Sequence, residues 1–186
     1  MLTPLQLKSN YFSLLADCEN ITGVTLEDHW SVRAYKNLTN KDSLTTKQWE
    51  NLVEVASIIE SNANRLCMMS WHTVNECGTA HCIAGWAQSL AMNDTNYKNT
   101  WNPSHGRVST IAIDMLSSYA EPFFWITNKN LNVHESLGLA EEMVMKWFIK
   151  PILDEARRES YELSTEISQF IQKAKEETQV KELITS

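Results

Sequence analysis

The sequence predicts an all-α fold, a compact single-domain helical bundle of about six helices, and three observations lead to it. Apolar residues recur at helical spacing over most of the 186 residues. Alternating, strand-like runs are short and lack evident companions. Only five glycines and four prolines punctuate the chain, and no Gly/Ser- or Pro-rich run divides it. With 43% hydrophobic residues, a chain of this length can bury roughly 70% of its unfolded surface around one core.

Thr3-Pro4 sets a cap before a proline at the first helical position, and Leu5, Phe12, Leu15 and Ala16 offer a buried side, so a helix is expected over 4–18. A second is expected within Thr25 to Leu38, carrying Trp30 and Tyr35. Thr45 and Gln48 fit a capping box ahead of Trp49, Leu52, Val53, Ala56 and Ile59, which predicts a helix to about Asn62. Residues 61–64 read as a break. Leu66 to Met69 then lead into Trp71 as either a strand or a helical turn, and periodicity does not choose between them.

Residues 77–91 read CGTAHCIAGWAQSLA. With Thr79 as a cap, Ala80, Ile83, Ala84, Ala87, Leu90 and Ala91 share one face of a close-packed core helix. Gly85 inside it costs about 1 kcal/mol against alanine unless close contact or a ligand compensates. Residues 93–107 form a long polar loop with Tyr97, Trp101 and His105, the type of loop that often carries function. Val108, Ile111, Ala112, Met115, Leu116 and Tyr119 predict another core helix, closed by Pro122. Phe123 to Ile126 fit a buried turn. Leu139 to Ile149 read as helix, with Pro151 expected to kink or restart it. A final helix carries Leu163, Ile167, Phe170 and Ala174, and its mixed-charge tail from about 175 is expected to fray.

The net charge of -7 and the absence of a Lys/Arg cluster argue against nucleic acid, because phosphate binding needs concentrated positive charge. Arg157-Arg158 is flanked by Asp154, Glu155, Glu159 and Glu162 and reads as a solvated face. No charged segment followed by an apolar run opens the chain, and no run of about 18 apolar residues occurs, so no membrane partner and a cytoplasmic setting are expected. The four cysteines are then expected as free thiols. No phosphate loop, paired-carboxylate signature or Ser/His/Asp motif is present, and no cofactor is implied.

Chemistry, if present, centres on Cys77. At the start of a helix its thiol would meet the positive end of the dipole, and His81, four residues on, would share its face as the imidazolium partner of a thiolate, with His105 or His134 as other bases. Cys77-Gly78-Thr79-Ala80-His81-Cys82 resembles the Cys-Gly-x-Cys-Trp opening of papain-like proteases and the Cys-Gly-x-Ala segment of bacteriocin-leader peptidases. Both families set a nucleophilic cysteine at the start of a core helix. Their oxyanion-hole glutamine, six residues earlier, corresponds to Trp71 for Cys77 and to Glu76 for Cys82. Trp71, Cys77-Gly78-Thr79, Cys82 and Ala84-Gly85-Trp86 also resemble a motif of small, uncharacterised bacterial and phage proteins, which implies such an origin and transfers no catalytic residue. A structural zinc site from His72, Cys77, His81 and Cys82 is a further alternative, but helical spacing splays these side chains.

The leading expectation is a non-enzymatic binding or regulatory protein that takes a protein partner or small ligand through Tyr97, Trp101 and His105. A cysteine-dependent hydrolase or transferase using Cys77 with His81 or His105 is the alternative. The sequence does not fix the oligomeric state.

Overall fold

A computed structural model describes residues 1–25, 32, 35, 38, 43–75, 78–97, 105–129, 131 and 138–185. Helix α1 (Pro4–Thr22) starts at a reciprocal cap, in which Thr3 Oγ1 accepts from the Gln6 N–H and Gln6 Oε1 accepts from the Thr3 N–H. It ends at Gly23, whose φ of 69° is the left-handed conformation that closes helices. The buried side matches the expected one at Leu15 and differs elsewhere. Leu7, Tyr11, Leu14, Leu15 and Cys18 face the core, whereas Leu5 and Phe12 face outward.

Helix α2 (Thr46–Ser61) has the expected Thr45/Gln48 capping box and stops one residue before Asn62. Leu52, Val53, Val55, Ala56, Ile58 and Ile59 are all buried, a nearly all-round burial that marks a central helix. A single 3-10 turn (Ala63–Arg65) follows. Of the expected second helix, Val32 and Tyr35 have helical backbone and are buried; most of the rest, Trp30 included, lies outside the described residues.

The next segment departs from an all-helical reading. Strands β1 (His72–Asn75) and β2 (Gly78–His81) pair antiparallel, with His72 opposite His81, Thr73 opposite Ala80, Val74 opposite Thr79 and Asn75 opposite Gly78. Thr79 is therefore a strand residue and not a helix cap. Leu66 adds a parallel bridge to His81, and the Cys67 N–H donates to the His81 carbonyl. Helix α3 (Ile83–Ala91) begins only after Cys82, whose Sγ accepts from the Gly85 N–H at 3.4 Å.

Helix α4 (His105–Leu116) starts at His105, shortening the expected loop. Helix α5 (Glu121–Phe124) is the buried turn expected there. Helix α6 (Leu139–Val144) widens into a π-type turn over Met145–Ile149 and continues as α7 (Lys150–Arg158). Pro151 lies in the first turn of α7, where its missing N–H costs little; the wider turn before it carries the helix past the proline. Helix α8 (Thr165–Thr185) stays helical well beyond residue 175, where fraying is expected. The described residues are thus mostly helical, with one two-stranded sheet. Helix α2 packs against α3, α4, α7 and α8, and β2 of the hairpin packs against the 3-10 turn, α3 and α8.

Candidate functional site

The hairpin ladder ends at the His72–His81 pair, and the next residue outward on each side is Trp71 and Cys82. The Cys82 N–H reaches the Trp71 carbonyl at 3.4 Å, extending the ladder by one weak bond. Successive side chains along extended chain point to opposite faces. The same short stretch therefore carries two environments, a buried polar cluster and an apolar pocket.

In the polar cluster, His72 and His81 meet Nδ1 to Nδ1 at 2.6 Å. The other ring nitrogen of His72 lies 2.8 Å from Gln88 Oε1, and that of His81 lies 3.4 Å from the Thr95 carbonyl. Burial, then the neighbouring His72 and Arg65, hold His81 down at about 3; burial also lowers His72, opposed by its bond to Gln88. Both rings are therefore neutral near pH 7. Two neutral imidazoles bring two protons to three links, so with the Gln88 oxygen facing His72 one link lacks a proton. A half-turn of the Gln88 amide, presenting its NH2 to His72, supplies the third proton, and the two imidazole protons then serve the His72–His81 and His81–Thr95 links.

Arg65 anchors this cluster. It is 1% exposed, and its guanidinium donates to the carbonyls of Thr79 at 2.8 Å, Ala174 at 3.0 Å and Thr95 at 2.5 Å. The Glu177 carboxylate lies 3.6 Å away and accepts from the Thr95 hydroxyl, and the Trp86 ring lies beneath the guanidinium at 5.1 Å. Arg65 thereby joins the 3-10 turn to β2, to the turn after α3 and to α8. Thr79 Oγ1, Trp86 Nε1 and Ser89 Oγ are buried nearby without a hydrogen-bond partner among the described residues, each costing about 1–3 kcal/mol in desolvation.

The other face opens into a cavity of about 410 Å³. Met68, Met69, Ser70 and Trp71 line it from the segment before β1, Phe124, Trp125 and Thr127 from the end of α5 and the turn after it, and Cys82 from the start of α3. The indoles of Trp71 and Trp125 meet edge to face, with centroids 5.0 Å apart and planes at 78°. Met69 is 51% exposed and stands at the mouth. Gly85 explains how the chain closes here: a Cβ at that position would lie 1.9 Å from the Trp71 carbonyl oxygen. The close contact that a helical glycine calls for is thus with the segment that carries the pocket wall. Burial pushes the Cys82 thiol up to about 12, against the opposing pull of the Gly85 and Ala84 N–H groups, so it remains protonated.

The sequence candidates distribute unevenly. Cys77 and Trp101 lie outside the described residues, as do His29 and His134, and so does the side chain of His105. Tyr97 is half-buried, its ring edge-on to His72 with centroids 5.3 Å apart. His81 is in β2 rather than on a helix four residues after Cys77, and its neutral, buried ring is not the imidazolium that a thiolate ion pair requires. Among the described residues no three His, Cys, Asp or Glu side chains group to hold a metal ion, and no helix is long and apolar enough to cross a membrane. Sequence reasoning missed Arg65, Gln88, Thr95 and Glu177, and the pocket role of Met68, Met69, Phe124 and Trp125. A warning was present in Arg65, a lone cation between apolar segments.

Fold and site together describe a mostly helical protein in which a hairpin and one helix frame a polar cluster and an apolar pocket. No protein-family model, curated protein or solved structure matches the chain.

Proposed function

We propose that this chain is a single-domain, non-enzymatic binding protein that holds a small ligand in the pocket between residues 68–71, Cys82 and residues 124–127. One observation carries the reading: a cavity of about 410 Å³ with largely apolar walls, within the usual size range of small-molecule sites, roughly 300–1,000 Å³. Its lining holds no acid or base that titrates near neutrality. Cys82, the one thiol there, stays protonated, which favours binding over nucleophilic chemistry. The free thiols of Cys18, Cys67 and Cys82 support a reducing, cytoplasmic setting.

The seven methionines make methyl NMR a direct test. With 13C-methyl-labelled protein and a fragment set of mixed chemistry, at least one fragment is expected to shift the Met68 and Met69 methyls saturably. Met69→Glu, placing a charge at the mouth, is expected to abolish that response. If no fragment moves these methyls, or the variant responds unchanged, the pocket is not a binding site.

A further inference from the structure

We infer that the occupant of this pocket is an uncharged, flat aromatic molecule of two or three fused rings. The inference rests on the binding reading above and adds the ligand's charge, shape and size.

Charge comes first. None of the eight lining residues is Lys, Arg, His, Asp or Glu, so an anionic group on the ligand would leave water without a counter-charge, and the neighbouring Glu141 carboxylate is already engaged by the Met68 N–H at 2.7 Å. Buried Arg65 and the two histidines offer none, since Arg65 is committed to the carbonyls of Thr79, Thr95 and Ala174 and the histidines to each other, Gln88 and Thr95. The polar side-chain groups in the lining are the Ser70 and Thr127 hydroxyls, the Cys82 thiol and the indole N–H groups of Trp71 and Trp125, all of them neutral. The Ser70 hydroxyl is already paired with that of Thr73. A ligand whose polar atoms are neutral matches such a lining.

Shape follows from the walls. Trp71 and Trp125 stand nearly perpendicular and in contact, so they form a corner that offers a flat ring the face of one indole and the edge of the other. Met68 and Met69 add thioethers, which adapt in shape and contact aromatic rings favourably. A flexible alkyl chain can be buried here but cannot use these directional contacts, and it loses rotational freedom on entry. Size is set by the volume, which lies near the lower end of the range for small-molecule pockets.

The test is a titration of the intact chain with 2-naphthol, 2-naphthoate and 1-decanol, read at the Met68 and Met69 methyls. 2-Naphthol is expected to saturate them with a Kd at least tenfold below those of the other two. If 2-naphthoate binds within threefold of 2-naphthol, the charge argument is wrong. If 1-decanol binds as tightly on the same methyls, the shape argument is wrong while the pocket remains a binding site. If none of the three shifts them, this inference fails, and the fragment screen then decides whether the binding reading fails with it.

Discussion

The two faces of the hairpin end are one residue apart in each strand and differ in what their side chains still lack. On the His72/His81 face, ring nitrogens, guanidinium and carbonyls are committed to one another across β2, α3 and α8. On the Trp71/Cys82 face, apolar side chains line open space. A cluster whose charged and ring-nitrogen groups are held by the fold has little charge left with which to take a ligand, and altering it removes stability. The exposed part of an apolar wall, here Met69, is where a ligand gains most without the fold depending on it, so altering it should remove binding and leave the fold intact.

The largest effect expected from this contrast is on the polar side. Arg65→Met removes three donors to buried carbonyls and leaves Glu177 without its cation. Unfolding by urea should show a loss of about 3–5 kcal/mol, the usual consequence of breaking a buried charged group from its partners. A loss below about 1 kcal/mol would mean the cluster is not the scaffold we describe.

Gly85→Ala acts on both faces at once. Its Cβ cannot coexist with the Trp71 carbonyl 1.9 Å away, so the strand must move, at a cost of about 1–3 kcal/mol. Because Trp71 is also a pocket wall, ligand response at the Met methyls should weaken in the same variant. Wild-type behaviour in both measurements would show that the two faces are not joined through this contact.

Acid offers a smaller and reversible probe. His81 has an ordinary value of 6.5, which applies to the unfolded chain, and about 3 in the fold, with His72 shifted the same way. Below pH 6.5 the unfolded state takes up protons that the folded state refuses. Stability is therefore intact above that pH and is lost progressively as pH falls towards 3. His81 alone contributes a loss of about 2 kcal/mol at pH 5 relative to pH 7.5, measurable by urea unfolding at the two values. The carboxyls of Glu54 and Glu121, which burial pushes up, work in the opposite direction and are only half-buried. Equal stability at both pH values would mean that the histidines are not held neutral.

Smallest in stability is Met69→Glu, expected to change unfolding free energy by no more than about 0.5 kcal/mol, because the side chain is half in solvent. Loss of ligand response with the fold unmoved is the pattern that separates the pocket from the cluster.

Local signals carried the helices well. The Thr45/Gln48 box, the apolar spacing of α2 and the Thr3-Pro4 start each act over a few residues and are visible without tertiary information. Thr79 shows the opposite case: a β-branched hydroxyl residue fits a strand and a helix cap equally, and the choice depended on pairing with Val74, which spacing does not reveal. Gly85 was legible as a position needing close contact, though not with what. Arg65 and Glu177 meet only because α8 returns to β2, and the pocket forms only because the turn at 124–127 faces Trp71. Such long-range placements leave no periodicity in the chain. At Pro151 the sequence leaves a kink and a restart open; the proline stands in the first turn of α7, and the π-type turn before it carries no signal in the apolar spacing.

The most direct test of the binding account is an amide shift map of the 15N-labelled chain titrated with 2-naphthol. The expected result is saturable shifts at residues 68–71, 82 and 124–127, with the amides of Arg65, Thr79 and Gln88 moving less. Shifts concentrated instead at Leu90, Asn93 and residues 166–173, which line the separate cleft between α3 and α8, would contradict it.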